Sequence, residues 1–358
     1  MAARPNFMKV APLYHVLERS DWCRPILVHT GQHYDFNMSD AFIRDLQLPA
    51  PEIHLGIGSG SHAEHTAAVM VAYEKICVES RPDWVVVVGD VNSTLACALV
   101  AAKQCLPLAH LEAGLRSRDP TMPEEVNRIV TDRLSDVLWT PSPDADENLR
   151  QEGTADNRIS RVGNIMIDAY ELLRDKIAAA DTVARLALEA DGFGVVTLHR
   201  PANVDRPEVL GEIVEQLRAL GERLPIVFPV HPRTAKKLEE FGLREALSAS
   251  PGVRLIEPMG YVEFMSLVTG AKLVLTDSGG LQEETTYLDI PCLTLRPNTE
   301  RPITIQQGTN RLVDAAGLPA ALDAILAGEW PGGRRPALWD GRTAERVGQD
   351  LAQRAGRG

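Results

Sequence analysis

The sequence predicts an α/β fold with parallel sheets, and three observations carry that prediction. Short, continuously apolar runs rich in Val, Ile and Leu recur along the chain, and segments of helix-forming composition separate them. Strands that are apolar on both faces are buried between helix layers, as in parallel sheets. The third observation is scale: 358 residues with 44% hydrophobic content are long for one core and comfortable for two domains.

The elements follow in order. PILVH (25–29), VVVV (85–88), PLAHL (107–111) and VLWT (137–140) form a first group of strands. VVTL (195–198), PIVFPV (225–230), LVLT (273–276) and PCLTL (291–295) form a second. Between the groups runs a long helical stretch, roughly 165–190, which is the natural boundary. The Pro/Gly/Arg-rich piece PGGRRP (331–336) reads as a linker before a last helix. The expected organisation is therefore a first domain over 1–164, a second over 165–337 and a terminal helix over 338–358.

Composition narrows the function classes. A formal net charge of -12 gives no long-range positive field for a phosphodiester backbone, so nucleic acid is not an expected partner. Cys23, Cys77, Cys97, Cys105 and Cys292 are scattered singly without metal spacing, as in a reducing compartment. No run of apolar residues is long enough to cross a membrane, and MAARPNFMKV lacks the apolar region of a signal peptide. The expectation is a cytoplasmic protein with no membrane partner.

In open parallel sheets, ligands meet the loops at the carboxyl ends of the strands. After VVVV comes Gly89-Asp90, and after PLAHL comes Glu112, so adjacent parallel strands would deliver two carboxylates to one place. The second loop runs on through Arg116 to Pro123, Glu124, Glu125 and Asn127. Pro-Glu-Glu suits the first turn of a helix, yet three acids converging with arginines also suit proton transfer. The second group of strands runs into His199-Arg200-Pro201, His231-Pro232-Arg233 and Asp277-Ser278-Gly279-Gly280. Ser-Gly-Gly opening a helix has the physics of an anion site, and a glutamate one turn on, Glu284, can bind a ribose diol.

GIGSGS (56–61) imitates a dinucleotide fingerprint, but its sixth position is Ser61 where glycine or alanine is wanted, and the strand before it is short and mixed. His62 and His65 lack a third metal ligand in view.

Ten blocks, taken together and in order, resemble the non-hydrolysing UDP-N-acetylglucosamine 2-epimerases. They are RPNFMKVAP (4–12), TGQHYD (30–35), VVGDVNST (87–94), HLEAGLRS (110–117), MPEEVNR (122–128), VGNIMID (162–168), TLHRPAN (197–203), FPVHPRT (228–234), TDSGGLQEE (276–284) and NTERPIT (298–304). The resemblance implies two Rossmann-like domains of the glycosyltransferase B type, with the substrate in the cleft between them and the last helix crossing back onto the first domain. It implies Asp90, Glu112 and Glu124 for proton transfer and oxocarbenium stabilisation, and His199 at the diphosphate. Arg4 and Lys9 would add positive charge, Ser278, Gly279 and Gly280 a backbone cradle, Glu284 the ribose contact, and Arg301 a sugar or phosphate contact. No cofactor and no metal are implied, because the bonding electrons leave with UDP and return with it. A homodimer is the family expectation.

Two departures qualify the resemblance. Members activated by their own substrate tend to carry Gln-His-Arg where this chain has Gln32-His33-Tyr34, and a second arginine after the His-Arg that is here followed by Pro201. Such activation is not expected. A 2-epimerase of a UDP-2,3-diacetamido sugar or its uronate shares the scaffold, and a UDP-sugar-dependent glycosyltransferase would use the same cleft. Finally, only Met-Ala-Ala precedes Arg4, whereas the family has an apolar strand there, so an upstream strand is expected.

Overall fold

The structure is a computed structural model that describes residues 6–31, 45–58 and 60–357. Arg4 and the Gln32-His33-Tyr34-Asp35 block lie outside the described residues. The class is α/β, and every strand pairing described is parallel.

The chain divides into two compact units, residues 1–173 with 337–358, and residues 174–336. The strands of the first are β1 (Val28–His29), β2 (Ile53–His54), β3 (Val85–Val88), β4 (Leu108–Leu111), β5 (Val137–Thr140) and β6 (Ile159–Arg161). β3-β4-β5-β6 form one sheet and β1-β2 another. A cavity of about 560 Å³, lined by residues including Val10, Leu13, Leu27, Val28, Val86 and Val88, opens between β1 and β3. Its helices are α1 (Phe7–Glu18), α2 (His62–Ser80), α3 (Asn92–Lys103), α4 (Pro123–Leu134), α5 (Pro143–Gln151) and the start of α6 (Ile165–Ala180). Asn6 ties the entry of α1 to the carboxyl end of β3, its amide donating to the Val88 carbonyl at 2.6 Å.

The unit division falls inside α6, later than the 164/165 boundary read from the sequence. The physical reason is the apolar first half of that helix: Ile165, Ile167, Ala169, Tyr170 and Leu173 are all buried, and the helix continues without a break. The return segment of the first unit starts at residue 337. This segment, with its helix α12 (Thr343–Arg354), is fixed within the first unit by several long-range bonds. The Trp139 indole donates to Asp350 at 2.7 Å, the Trp339 indole to the Pro141 carbonyl at 3.0 Å, and the Ala344 N–H to Asp168 at 2.7 Å.

The second unit has one six-stranded sheet in the order β12-β11-β10-β7-β8-β9. These strands are β7 (Gly194–Thr197), β8 (Ile226–Pro229), β9 (Val253–Ile256), β10 (Leu273–Thr276), β11 (Cys292–Leu295) and β12 (Asn310–Val313). Helices α7 (Pro207–Gly221), α8 (Pro232–Glu240), α9 (Tyr261–Thr269), α10 (Gly279–Leu288) and α11 (Leu318–Leu326) accompany it. Its core includes Val196, Leu198, Phe228, Leu275, Leu293 and Leu322. The strand order jumps from β10 to β7 in the middle of the sheet, which is a topological switch point, where open α/β sheets take ligands.

Candidate active site

In the first unit the parallel register pairs Val88 of β3 with Leu111 of β4. The residues that follow therefore leave the sheet side by side. Gly89 has φ +67°, and a Cβ there would meet Asn6 Oδ1 at 2.9 Å, Lys9 Nζ at 3.2 Å and Glu112 Oε2 at 3.3 Å. Glycine is required by both backbone and space. Two of these neighbours, Lys9 and Glu112, are residues that the sequence singled out.

Glu112 is buried and stands in the left-handed region at φ +74°, a conformation costing a non-glycine residue on the order of 1–2 kcal/mol. Such strain clusters at functional sites. Its carboxylate is ion-paired with Lys9 of α1. Asp90 is held by the Arg128 guanidinium at 2.6 Å, and the Asn127 amide donates to the Asp90 carbonyl at 2.8 Å. Glu124 is exposed on the first turn of α4, one turn before Asn127 and Arg128 and on the same helix face.

Glu125 has a different task. It accepts from the Ser117 N–H and hydroxyl at 2.9 Å each and from the Arg118 N–H at 2.8 Å, and it is ion-paired with Arg128. Burial raises its pKa, but those N–H donors and the guanidinium outweigh burial and hold it below the usual range. It braces the loop.

Behind it lies a second brace that sequence reading missed. His110 bridges Asp132 at 2.6 Å and the Gly89 carbonyl at 2.9 Å, and Asp132 also accepts from the Gly114 N–H at 3.0 Å and Arg116 at 2.8 Å. This buried network fixes both strand-end loops at once. Its signal was present in the apolar strand PLAHL, whose only polar residue, His110, is fully buried.

In the second unit the organiser is Asp277, fully buried at the end of β10. It accepts from the His199 N–H at 3.0 Å, the Arg200 N–H at 2.9 Å and the Asn203 amide at 3.1 Å, and it pairs with His199 Nδ1 at 2.8 Å. Burial alone would raise its pKa; His199 and the backbone donors bring it below the ordinary value. With Nδ1 turned to Asp277, His199 presents Nε2 outward, and its side chain is 41% exposed. His231 lies alongside, ring centroids 5.7 Å apart, its pKa lowered by burial and by His199. Sequence reading had Asp277 in its motif but assigned it no role.

Helix α10 opens directly after Asp277 and Ser278, so its first N–H groups and dipole face the His199 loop end of the sheet. A Cβ on Gly279 would meet Arg301 at 2.7 Å and Glu300 at 2.8 Å, which explains a glycine at that turn. Arg301 itself is buried and ion-paired with Glu283 at 3.0 Å and with Glu300. Its charge is neutralised by these two acids beneath the helix start. Glu284 is buried, accepts from the Tyr261 hydroxyl at 2.6 Å, and is pushed up to about 7 by burial, with Glu283 adding to the rise.

Ser61, the last residue of GIGSGS, opens a helix of another kind. Ser61 accepts from the Glu64 N–H at 3.3 Å and donates its own N–H to the Glu64 carboxylate at 2.9 Å, a reciprocal cap of α2. The serine that spoiled the dinucleotide pattern is the capping residue.

The first unit thus carries two carboxylates at adjacent strand ends, and the second a histidine beside a glycine-opened helix. A profile of the family described as UDP-N-acetylglucosamine 2-epimerase matches residues 15–352. The chain belongs to that family. The family is one of isomerases. A UDP-N-acetylglucosamine 2-epimerase of Methanocaldococcus jannaschii is 44% identical over 321 residues, 87% of each chain. A UDP-2,3-diacetamido-2,3-dideoxy-D-glucuronate 2-epimerase of Pseudomonas aeruginosa is 40% identical over 319 residues, 88% of this chain and 87% of the other. The crystal structure of the Methanocaldococcus jannaschii UDP-GlcNAc 2-epimerase in complex with UDP-GlcNAc and UDP superimposes with a TM-score of 0.88 at 41% identity, covering 98% of this chain and 97% of that one. No helix among the described residues is long and apolar enough to cross a membrane.

Proposed function

We propose that this chain interconverts UDP-N-acetylglucosamine and UDP-N-acetylmannosamine by eliminating UDP and adding it back. The C2 proton of the sugar is not next to a carbonyl, so a base alone faces a very weak acid. Breaking the bond from C1 to the UDP oxygen puts positive charge on C1 and the ring oxygen, and that charge acidifies C2–H. The proton passes to a carboxylate, the C–H electron pair becomes the C1–C2 double bond, and the bonding pair to oxygen leaves with UDP. The products held are UDP and 2-acetamidoglucal. Protonation of C2 on the opposite face and return of UDP to C1 give the epimer.

The observation that carries this reading is Glu112 in its strained backbone beside Lys9, one strand away from Asp90 held by Arg128. A flat intermediate needs acid–base groups on both faces and anionic surroundings for its cationic transition state. Asp90, Glu112 and Glu124 supply them. His199, Ser278, Gly279 and Gly280 receive the diphosphate, and Glu284 the ribose. Arg301, held by Glu283 and Glu300, makes a sugar or phosphate contact. The product would supply surface polysaccharide assembly, and the enzyme would act as a cytoplasmic homodimer.

The test is solvent exchange. Incubation with UDP-N-acetylglucosamine in deuterium oxide should place deuterium at C2 of the recovered nucleotide sugar and generate the manno epimer. Intact, unlabelled UDP-sugar overturns the proposal, and transfer to an added acceptor without C2 labelling makes the chain a glycosyltransferase. The 40% identity to a diacetamido-uronate 2-epimerase favours one second reading, in which that sugar is the substrate. Side-by-side kcat/KM for the two nucleotide sugars decides between them.

A further inference from the structure

We propose that Tyr261 is a positioning residue that holds the Glu284 carboxylate for a ribose diol, and so makes uptake of the nucleotide sugar a proton-releasing event. The inference rests on the reading of Glu284 as the ribose contact.

The geometry is local to the second unit. Tyr261 is the first residue of α9, and Glu284 lies in the second turn of α10. The Tyr261 hydroxyl donates to Glu284 Oε1 at 2.6 Å, leaving the other carboxylate oxygen for incoming hydroxyl groups. Glu284 is 5% exposed, so a charge there is costly without donors. The neighbouring charges are compensated away from it. Glu283 pairs with Arg301, Arg301 also with Glu300, and Glu300 with Arg296. Asp277 pairs with His199. The phenol is thus the donor that stands between Glu284 and protonation.

Burial, opposed by the phenol and aided by Glu283, sets Glu284 at about 7. Burial thus favours the protonated carboxyl and the phenol opposes it. Two ribose hydroxyls donate best to the ionised form, so binding favours loss of the proton to solvent. A tyrosine that merely packed would affect affinity equally at every pH.

The experiment measures UDP-N-acetylglucosamine binding by calorimetry from pH 5.5 to 9 in the full chain carrying Glu112→Gln to stop turnover. Its diphosphate diester does not titrate in this range. Relative to Glu284→Gln, which shares the histidines at the diphosphate, affinity should strengthen several-fold as pH rises through the Glu284 transition, with proton release read from buffers of different ionisation enthalpy. Adding Tyr261→Phe removes a donor to the anion, so the midpoint should move upward, with several-fold weaker binding at pH 7 that recovers at pH 9. An unmoved midpoint, or a loss equal at all pH values, overturns the role of Tyr261. Glu284→Gln with the 2′-deoxyuridine analogue separates the underlying reading: if that variant still prefers ribose to deoxyribose, Glu284 is not the ribose contact.

Discussion

At the carboxyl ends of β3 and β4, Lys9 and Arg128 restrain two carboxylates. At the ends of β7 and β10 the arrangement is reversed, and the single buried carboxylate of Asp277 restrains His199, Arg200 and Asn203. Both regions are built from the same strand-to-loop unit. Cations fix the acids of the first region in place, whereas a buried acid fixes the donors of the second. The proposed expulsion of a diphosphate from a sugar would draw on one region of each kind.

The comparison breaks most sharply at Glu112. Glu112→Gln keeps the side-chain volume and one acceptor for Lys9 but cannot take a proton, so turnover should fall by about 10²-fold or more while UDP affinity changes little. Steady-state kinetics with UDP titration checks the split. An equal loss of UDP affinity would make the first region a binding scaffold and erase the contrast. The pair on α4 sharpens it further. Glu124→Gln should lower kcat without moving the melting temperature. Glu125→Gln removes the anion that Ser117, Arg118 and Arg128 converge on, and should lower the melting temperature instead.

Asp277→Asn tests the second region. The amide keeps some acceptor capacity but repels one of the N–H donors around it, and it can leave His199 in the wrong tautomer. Turnover should fall about 10- to 10²-fold and UDP binding should weaken with it, unlike Glu112→Gln. Turnover lost at unchanged UDP affinity would show that the second region does not serve the anion.

Much of this was legible in the sequence because burial on both faces writes an unbroken apolar run. β3, β4, β5, β7, β8, β10 and β11 all announce themselves that way. β6, β9 and β12 did not, and each is an edge strand with one side open and polar residues such as Ser160, Arg254 and Arg311 within it. Asp90, Glu112, His199 and the Ser-Gly-Gly turn were legible because strand-end loops are few and each carried chemistry. Asp277, His110 and Asp132 were not, since a buried polar residue declares its role only through partners distant in sequence. Asp277 meets His199 across 78 positions, and no local spacing encodes that.

A carboxylate that the proposed reaction does not use supplies the smallest effect. Asp168 on α6 caps the start of the returning helix α12 through the Ala344 N–H, and burial pushes it up to about 6 from 3.8 despite the donors of Thr343 and Ala344. A folded-state pKa above the unfolded value means that the folded chain binds this proton more tightly. Its contribution to stability is therefore complete below about pH 4 and is lost as pH rises through about 6. The loss is on the order of 2 kcal/mol, allowing for relaxation around a buried group. Asp168→Asn carries no such proton, so denaturant melts of the variant and the parent should converge or cross between pH 4 and 7, the parent losing ground as pH rises. The two active regions should not take part: kcat for Asp168→Asn at pH 7 should match the parent. A parallel pair of stability curves across that window would show that Asp168 stays ionised throughout and that its helix-start donors overcome burial, as they do for Asp277.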